Sequence, residues 1–152
     1  MPQSEKYSFL ISVYAKEEPQ YLSEAFSCML NQSYAPDEIV LVCDGPLTDG
    51  LESVISRVKD TYGDLIKLVR ISKNGGLGNA LAVGLLECRN ELIARMDSDD
   101  LCSLQRIERQ INYLRQHPEV SLVGSNAIEF VDDPKKPVAY VVLPETNEEI
   151  RA

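Results

Sequence analysis

The chain has 152 residues, enough for about one domain with a real core, and its apolar (44%) and charged (26%) fractions are those of an ordinary soluble globular protein. A formal net charge of −9 argues against nucleic acid or an anionic membrane surface as the main partner. It leaves a phosphorylated ligand open, because a bound metal and local backbone N–H groups can supply the positive field. The cysteines Cys28, Cys43, Cys88 and Cys102 are scattered, no C-x-x-C pair exists, and the single histidine is His117, so zinc-site spacing is missing. With no basic-then-apolar leader and no apolar run of transmembrane length, the expectation is a reduced cytoplasmic protein.

In chain order, Phe9 to Val13 predicts a first strand that ends at Tyr14-Ala15-Lys16-Glu17. Pro19 suits the first turn of a helix whose buried stripe is Leu22, Ala25, Phe26, Met29 and Leu30. Asn31 to Pro36 is turn-like. Ile39 to Cys43 is a near-continuous β-branched run, the pattern of a strand covered on both faces, and Asp44-Gly45-Pro46 stops it abruptly. A second helix turns Leu51, Val54, Ile55, Val58 and Tyr62 inward and ends at Gly63-Asp64, and Ile66 to Ile71 predicts a third strand. The glycine-rich turn Lys73-Asn74-Gly75-Gly76-Leu77-Gly78 leads into a third helix carrying Leu81, Leu85 and Leu86.

Leu92 to Met96 predicts a fourth strand that delivers Asp97-Ser98-Asp99-Asp100 at its end. Ser103 is read as opening a fourth helix, with Leu104, Ile107, Ile111 and Leu114 at helical spacing and an end near Gln116-His117-Pro118. Val120 to Gly124, Ile128 to Val131 and Val138 to Leu143 are further strand candidates, with Asp132 to Pro137 as a turn. Pro144 to Ala152 is polar and shows no clear end to a domain.

Four strand–helix alternations imply an α/β fold, a doubly wound parallel sheet with helices on both faces. Right-handed crossovers then place the ends of all four strands on one edge, so Tyr14, Asp44, Lys73-Asn74 and Asp97 to Asp100 are expected to converge where open α/β sheets bind ligands. Clustered carboxylates repel one another, and hard divalent cations prefer oxygen ligands, so the acidic cluster reads as a metal–phosphate site. It equally fits a solvated acidic loop before a helix N-terminus.

The glycine turn is not a dinucleotide fingerprint: a G-x-G-x-x-G beginning at Gly76 needs glycine where Leu81 stands, and the turn follows the third strand. It reads as a tight start to a helix, with exposed N–H groups near a phosphate as the functional alternative. Asp44 is placed to accept an N–H from a nucleobase, or simply forms an Asp-Gly turn. Tyr14 stacks on a base or is an ordinary strand-end tyrosine. His117 reads as a helix C-terminal residue facing the dipole, and the cysteines as small core residues.

The ordered set of motifs resembles the family 2 glycosyltransferases of the GT-A fold, in particular the bacterial branch that builds capsular and other surface polysaccharides. The matching residues are Ser12-Val13-Tyr14 with Lys16-Glu17, the run Leu30 to Val42, Asp44-Gly45-Pro46-Leu47-Thr48, Asn74 to Leu81, Ala94 to Asp100, and Arg106 with Gln110. The resemblance as a whole covers nearly all of the chain, from Tyr7 to about Val131. The resemblance implies a transferase using a nucleotide-diphosphate sugar, UDP-type, with a glycan or lipid-linked acceptor and Mn²⁺ or Mg²⁺. It implies nucleotide-binding roles for Tyr14, Glu17, Asp44, Asn74, Gly78, Asp97 and Asp99. Tyr14 would line the base pocket and Asp44 contact the base. Asp97-Ser98-Asp99 would be the D-x-D, with Asp99 as best metal ligand, Asp97 on ribose or metal-bound water, and Asp100 organising the following loop.

The departures carry expectations too. Leu104 stands where the family usually has proline, implying a looser start to the helix; Cys43-Asp44 leaves one carboxylate where relatives often have two acids; Ala15 replaces a common asparagine. The family's catalytic base is an aspartate in the acceptor-side half, and no acidic motif between Pro134 and Ala152 matches it. The stretch 1–152 is therefore expected to be a single GT-A domain fragment, with a nucleotide-sugar half over about 7–117 and the start of an acceptor-side half over about 118–152. It would bind nucleotide weakly, transfer nothing alone, and meet a membrane, if at all, through regions outside it. Two rivals stay open: a metal-dependent phosphatase or phosphotransferase, whose nucleophilic aspartate belongs after the first strand where Tyr14-Ala15-Lys16 stands, and a non-enzymatic doubly wound binding domain.

Overall fold

The structure, a computed structural model, describes residues 5–131 and 133–151. Asp132 of the predicted turn and Ala152 lie outside the described residues. The chain divides into two compact units, 1–111 and 112–152.

The first unit is built on four strands, β1 (Tyr7–Val13), β2 (Glu38–Asp44), β3 (Ile66–Ile71) and β4 (Leu92–Asp97), alternating with α1 (Pro19–Leu30), α2 (Asp49–Tyr62), α3 (Leu77–Glu87) and the start of α4 (Arg106–Gln116). The sheet order is β3-β2-β1-β4 and all three pairings are parallel. This is the expected doubly wound architecture. The chain moves outward from β1 through β2 to β3, then crosses back to place β4 on the other side of β1. The C-terminal ends of β1 and β4 therefore flank the point where strand order reverses, the ligand crevice of such folds.

Side-chain alternation divides the sheet into two faces. Tyr7, Phe9, Ile11 and Val13 of β1 and Ile39, Leu41 and Cys43 of β2 join the main core beneath α1, α2 and α4, which includes Leu22, Phe26, Leu51, Ile55, Ile107 and Ile111. Leu10, Val40 and Val42 point the other way and pack with Ala80 under α3. That helix sits close to the strands because Gly84 has no side chain: a Cβ there would lie 2.5 Å from Leu10 Cδ1 and 2.6 Å from Val42 Cγ2. Both neighbours are fully buried and have little room to give. Gly84→Ala is expected to destabilise by about 1–3 kcal/mol, read as a lower urea midpoint with an unchanged m-value.

Local signals set the helix ends. Pro19 opens α1, the Thr48 hydroxyl accepts from Leu51 N at 3.4 Å at the start of α2, and Lys59 Nζ donates to the Gly63 and Ile66 carbonyls at its end. The fourth helix departs from expectation: it begins at Arg106, and Ser103 only accepts the Arg106 N–H in a preceding turn. Gln32 explains the delay. Its buried side chain donates to the Ser103 carbonyl (2.9 Å) and accepts from Ile107 N (3.1 Å), while Ser33 N donates to the Leu104 carbonyl (2.7 Å). These bonds pin the start of the helix.

In the second unit, the short strands β5 (Ala127–Glu129) and β6 (Ala139–Val141) pair antiparallel. Val120 to Gly124 is not a strand, because an apolar run needs a ladder partner and this one is paired with none among the described residues. A short helix, α5 (Asn147–Arg151), was not anticipated in the polar tail. Its signal is a capping box: Thr146 Oγ1 accepts from Glu149 N and the Glu149 carboxylate accepts from Thr146 N. His117 follows α4 with its ring stacked on Tyr113 at 4.3 Å and Nδ1 at 3.3 Å from Glu119. Among the described residues no helix is long and apolar enough to cross a membrane.

Candidate functional site

Two groups of the expected residues form at the C-terminal edge of the sheet, one on each side of β1. At the ends of β2 and β3, Asp44 is only 4% exposed and its carboxylate accepts from Gly75 N (2.8 Å) and Gly76 N (2.9 Å). Asn74 Nδ2 donates to the Asp44 carbonyl at 3.2 Å, and Gly45 N to the Ile71 carbonyl. Gly45 (φ +88°) is required here, since a Cβ would lie 2.8 Å from Asn74 N. Gly76 (φ +86°) then turns the chain into α3. Asp44 thus brings a negative charge to the positive end of that helix. Because both glycine N–H groups point at it, they are not the free phosphate donors that the turn suggested. Gly78 lies in the first turn of α3 with nothing within 4 Å of a Cβ built on it.

Cys43, where a second acid was missing, is fully buried in the main core, and burial pushes its thiol up to about 11. That position contributes packing.

The second group lies at the reversal point. Tyr14, 44% exposed, directly follows β1, and its carbonyl accepts from Glu17 N at 3.1 Å. Glu17 Oε1 accepts from Glu18 N, and Oε2 accepts a 2.6 Å hydrogen bond from Ser98 Oγ. The loops after β1 and β4 are therefore joined across the crevice. Asp97 Oδ1 accepts from Arg95 at 2.6 Å, and the Asp97 carbonyl accepts from Asp100 N. Asp99 is exposed, and neither its carboxylate nor that of Asp100 forms a hydrogen bond or ion pair among the described residues. Partial withdrawal from water, followed by the charges of Asp99 and Asp97, raises the pKa of Asp100, against the opposing pull of Arg106 and Arg95. The loop carries a negative field that Arg95 and Arg106 offset only in part.

That donor set fits a hard divalent cation: three carboxylates in four residues, two of them uncommitted, with a pKa at Asp100 held up by burial and by its neighbours' charges, which a cation would relieve. The free oxygens of the loop belong to Asp99 and Asp100, and Asp97 would have to release Arg95 to join them. Among the described residues no three His, Cys, Asp or Glu side chains form a ready-made cage. An ion here would need a ligand's phosphate oxygens to complete its coordination, which is the usual habit of Mg²⁺.

Ser98, Arg95 and Gln32 were not singled out as site residues from sequence. Arg95 was findable, since it precedes Asp97 by two residues on a strand and so shares its face. Ser98 and Gln32 carry no such signal; their partners lie 81 and 75 residues away.

The comparisons with known proteins give the family and the fold. The family model described as Glycosyl transferase family 2 matches residues 8–150, and the chain belongs to that family. It is 42% identical over 146 residues to the amylovoran biosynthesis glycosyltransferase AmsE of Erwinia amylovora, covering 95% of this chain and 53% of the relative. It is 36% identical over 129 residues to the UDP-Gal:alpha-D-GlcNAc-diphosphoundecaprenol beta-1,3-galactosyltransferase of Escherichia coli, covering 85% and 46%. Among solved structures, the mannosyltransferase PcManGT from Pyrobaculum calidifontis, in complex with GDP-Man and Mn²⁺, superposes with a TM-score of 0.65 at 24% identity over 74% of this chain and 33% of that one. The fold is GT-A. The chain spans about half the length of the curated relatives it matches.

Proposed function

We propose that this chain forms the donor-binding part of a glycosyltransferase that moves a sugar from a nucleotide-diphosphate sugar, UDP-type, to a glycan or lipid-linked acceptor in surface polysaccharide biosynthesis. The observation that carries the reading is the strand-order reversal between β1 and β4, where Tyr14 and Glu17 follow one strand and the acidic loop, bonded to Glu17 through Ser98, follows the other. The family match and the printed activities of the relatives support the reaction class. The E. coli relative's name specifies a UDP-sugar and a lipid-diphosphate acceptor, which supports the donor type and the acceptor class.

In this reading Tyr14 stacks on the base and Asp44 reads its N–H with the lone pairs left over after holding the glycine turn. Asn74 and Gly78 border the nucleotide; the open space beside Gly78 suits close approach of a ligand. Glu17 faces the donor. Asp99, helped by Asp97, holds Mn²⁺ or Mg²⁺, and the Mn²⁺ of the structural neighbour supports a divalent ion. When bound, such an ion stabilises charge on the departing nucleotide diphosphate. Transfer with inversion also needs a base on the acceptor hydroxyl, and no residue of the site is assigned that role. A cytoplasmic place of action, at the membrane face for a lipid-linked acceptor, belongs to the same reading.

Calorimetric titration of UDP tests it. Binding is expected with Mn²⁺ present and at least about tenfold weaker in EDTA, as one lost charge-assisted contact alone would produce. Mn²⁺-loaded protein that binds neither UDP, GDP nor dTDP would remove the donor-site reading.

A further inference from the structure

The D-x-D loop has a middle residue that faces away from solvent. Ser98 is 6% exposed, while Asp97 and Asp99 on either side are half-buried and exposed. Its hydroxyl donates to Glu17 Oε2 at 2.6 Å, an ordinary length for a charge-assisted bond from a hydroxyl to a carboxylate. The other Glu17 oxygen is held within its own loop by Glu18 N at 3.0 Å. The side chain that meets the acidic loop is thus oriented by one bond from each side of the crevice. Because β1 and β4 pair in register through Ser12 and Asp97, the two loops leave the sheet together, and the Ser98–Glu17 bond is the first side-chain link beyond that register.

Charge explains why the linking group is a hydroxyl. Glu17 adds a fourth carboxylate to Asp97, Asp99 and Asp100, and like charges at these separations repel. A lysine or arginine in place of Ser98 would hold Glu17 but cancel the field that attracts a cation. An alanine would keep the field but leave Glu17 held only by the Glu18 N–H of its own loop, with nothing tying it to the acidic loop. A small neutral donor orients the carboxylate and preserves the charge.

We propose that Ser98 is a positioning residue, which through its hydrogen bond to Glu17 sets the spacing of the two loops that border the donor diphosphate. The inference rests on the donor-site reading above. In Mn²⁺, Ser98→Ala is expected to weaken UDP binding about tenfold, the loss of one bond to a charged group. Ser98→Thr, which keeps the hydroxyl, should stay within about threefold of wild type. In a Glu17→Ala background the Ser98→Ala change should have almost no further effect, because the bond is already gone. Wild-type affinity in Ser98→Ala, an affinity for Ser98→Thr as poor as that for Ser98→Ala, or a full second tenfold loss in the Glu17→Ala background would each overturn the proposal.

Amide hydrogen exchange separates this failure from failure of the donor reading. Without any nucleotide, Ser98→Ala should speed exchange in both 14–18 and 97–100. Unchanged exchange there overturns the strut even in a protein that binds nothing. Accelerated exchange in a wild-type protein silent to all nucleotides would keep the strut and discard the donor site.

Discussion

Asp99→Ala is expected to lower Mn²⁺-dependent UDP affinity by about a hundredfold or more, and to make the remaining binding insensitive to EDTA. Losing even an outer-shell partner of a metal site costs about 10- to 100-fold, and Asp99 is the acid of the loop best placed to be a direct ligand. Asp97 already shares an oxygen with Arg95 at 2.6 Å, whereas Asp99 is exposed and uncommitted. Asp97→Ala should therefore weaken binding less, by about tenfold, since a guanidinium has to be displaced for that carboxylate to serve a cation. Folding should be untouched by Asp99→Ala, because the change removes repulsion and breaks no bond. Retention of wild-type metal dependence in Asp99→Ala would contradict its assignment and shift attention to Asp100.

The second large effect lies at the opposite edge of the sheet. Glu38 opens β2 with its side chain buried: Oε2 accepts from Ser8 Oγ at 2.6 Å and from Arg89 N at 2.9 Å, and Asn90 Nδ2 donates to the same serine at 3.0 Å. This network ties the start of β1, the start of β2 and the connection from α3 to β4 into one polar knot. Glu38→Ala removes two charge-assisted bonds and leaves the fully buried Ser8 hydroxyl without its acceptor. About 3–5 kcal/mol is the expected loss, equivalent to a drop in Tm of roughly 6–20 °C for a chain of this size. The exposed Arg89 side chain adds little to that sum. Glu38→Gln keeps an acceptor oxygen and should lose about a third as much; equal losses in both variants would mean that the carboxylate charge, not its acceptor geometry, holds the knot.

Both predictions bear on how far the amino-acid sequence could be read. The hydrophobic runs located the four strands because each inner residue pays into one of two cores by strict alternation: Phe9, Ile11 and Val13 on one face, Leu10 on the other. The strand ends were missed where the residues are polar. Tyr7, Ser8 and Glu38 belong to strands because partners far along the chain satisfy them: Asp37 and Tyr34 for Tyr7, Asn90 for Ser8, and the Arg89 N–H for Glu38. The start of α4 was misplaced for a similar reason, since Gln32 on another element holds residues 103–107. Capping chemistry was legible and overlooked in Thr146-x-x-Glu149.

For the site, periodicity and turn chemistry were enough to put Tyr14, Asp44, Asn74 and the Asp97–Asp100 cluster on one edge, because parallel strands joined by right-handed crossovers have no other arrangement. What each carboxylate is free to do was not legible, because hydrogen-bond partners are chosen by proximity in space. Tertiary packing gives Asp44 to the glycine turn and Glu17 to Ser98, the local spacing on β4 gives Asp97 to Arg95, and Asp99 and Asp100 stay uncommitted. The chain order thus decides which residues meet at the edge, and the packing of β1 between β2 and β4 decides which of their charges remain available to a ligand.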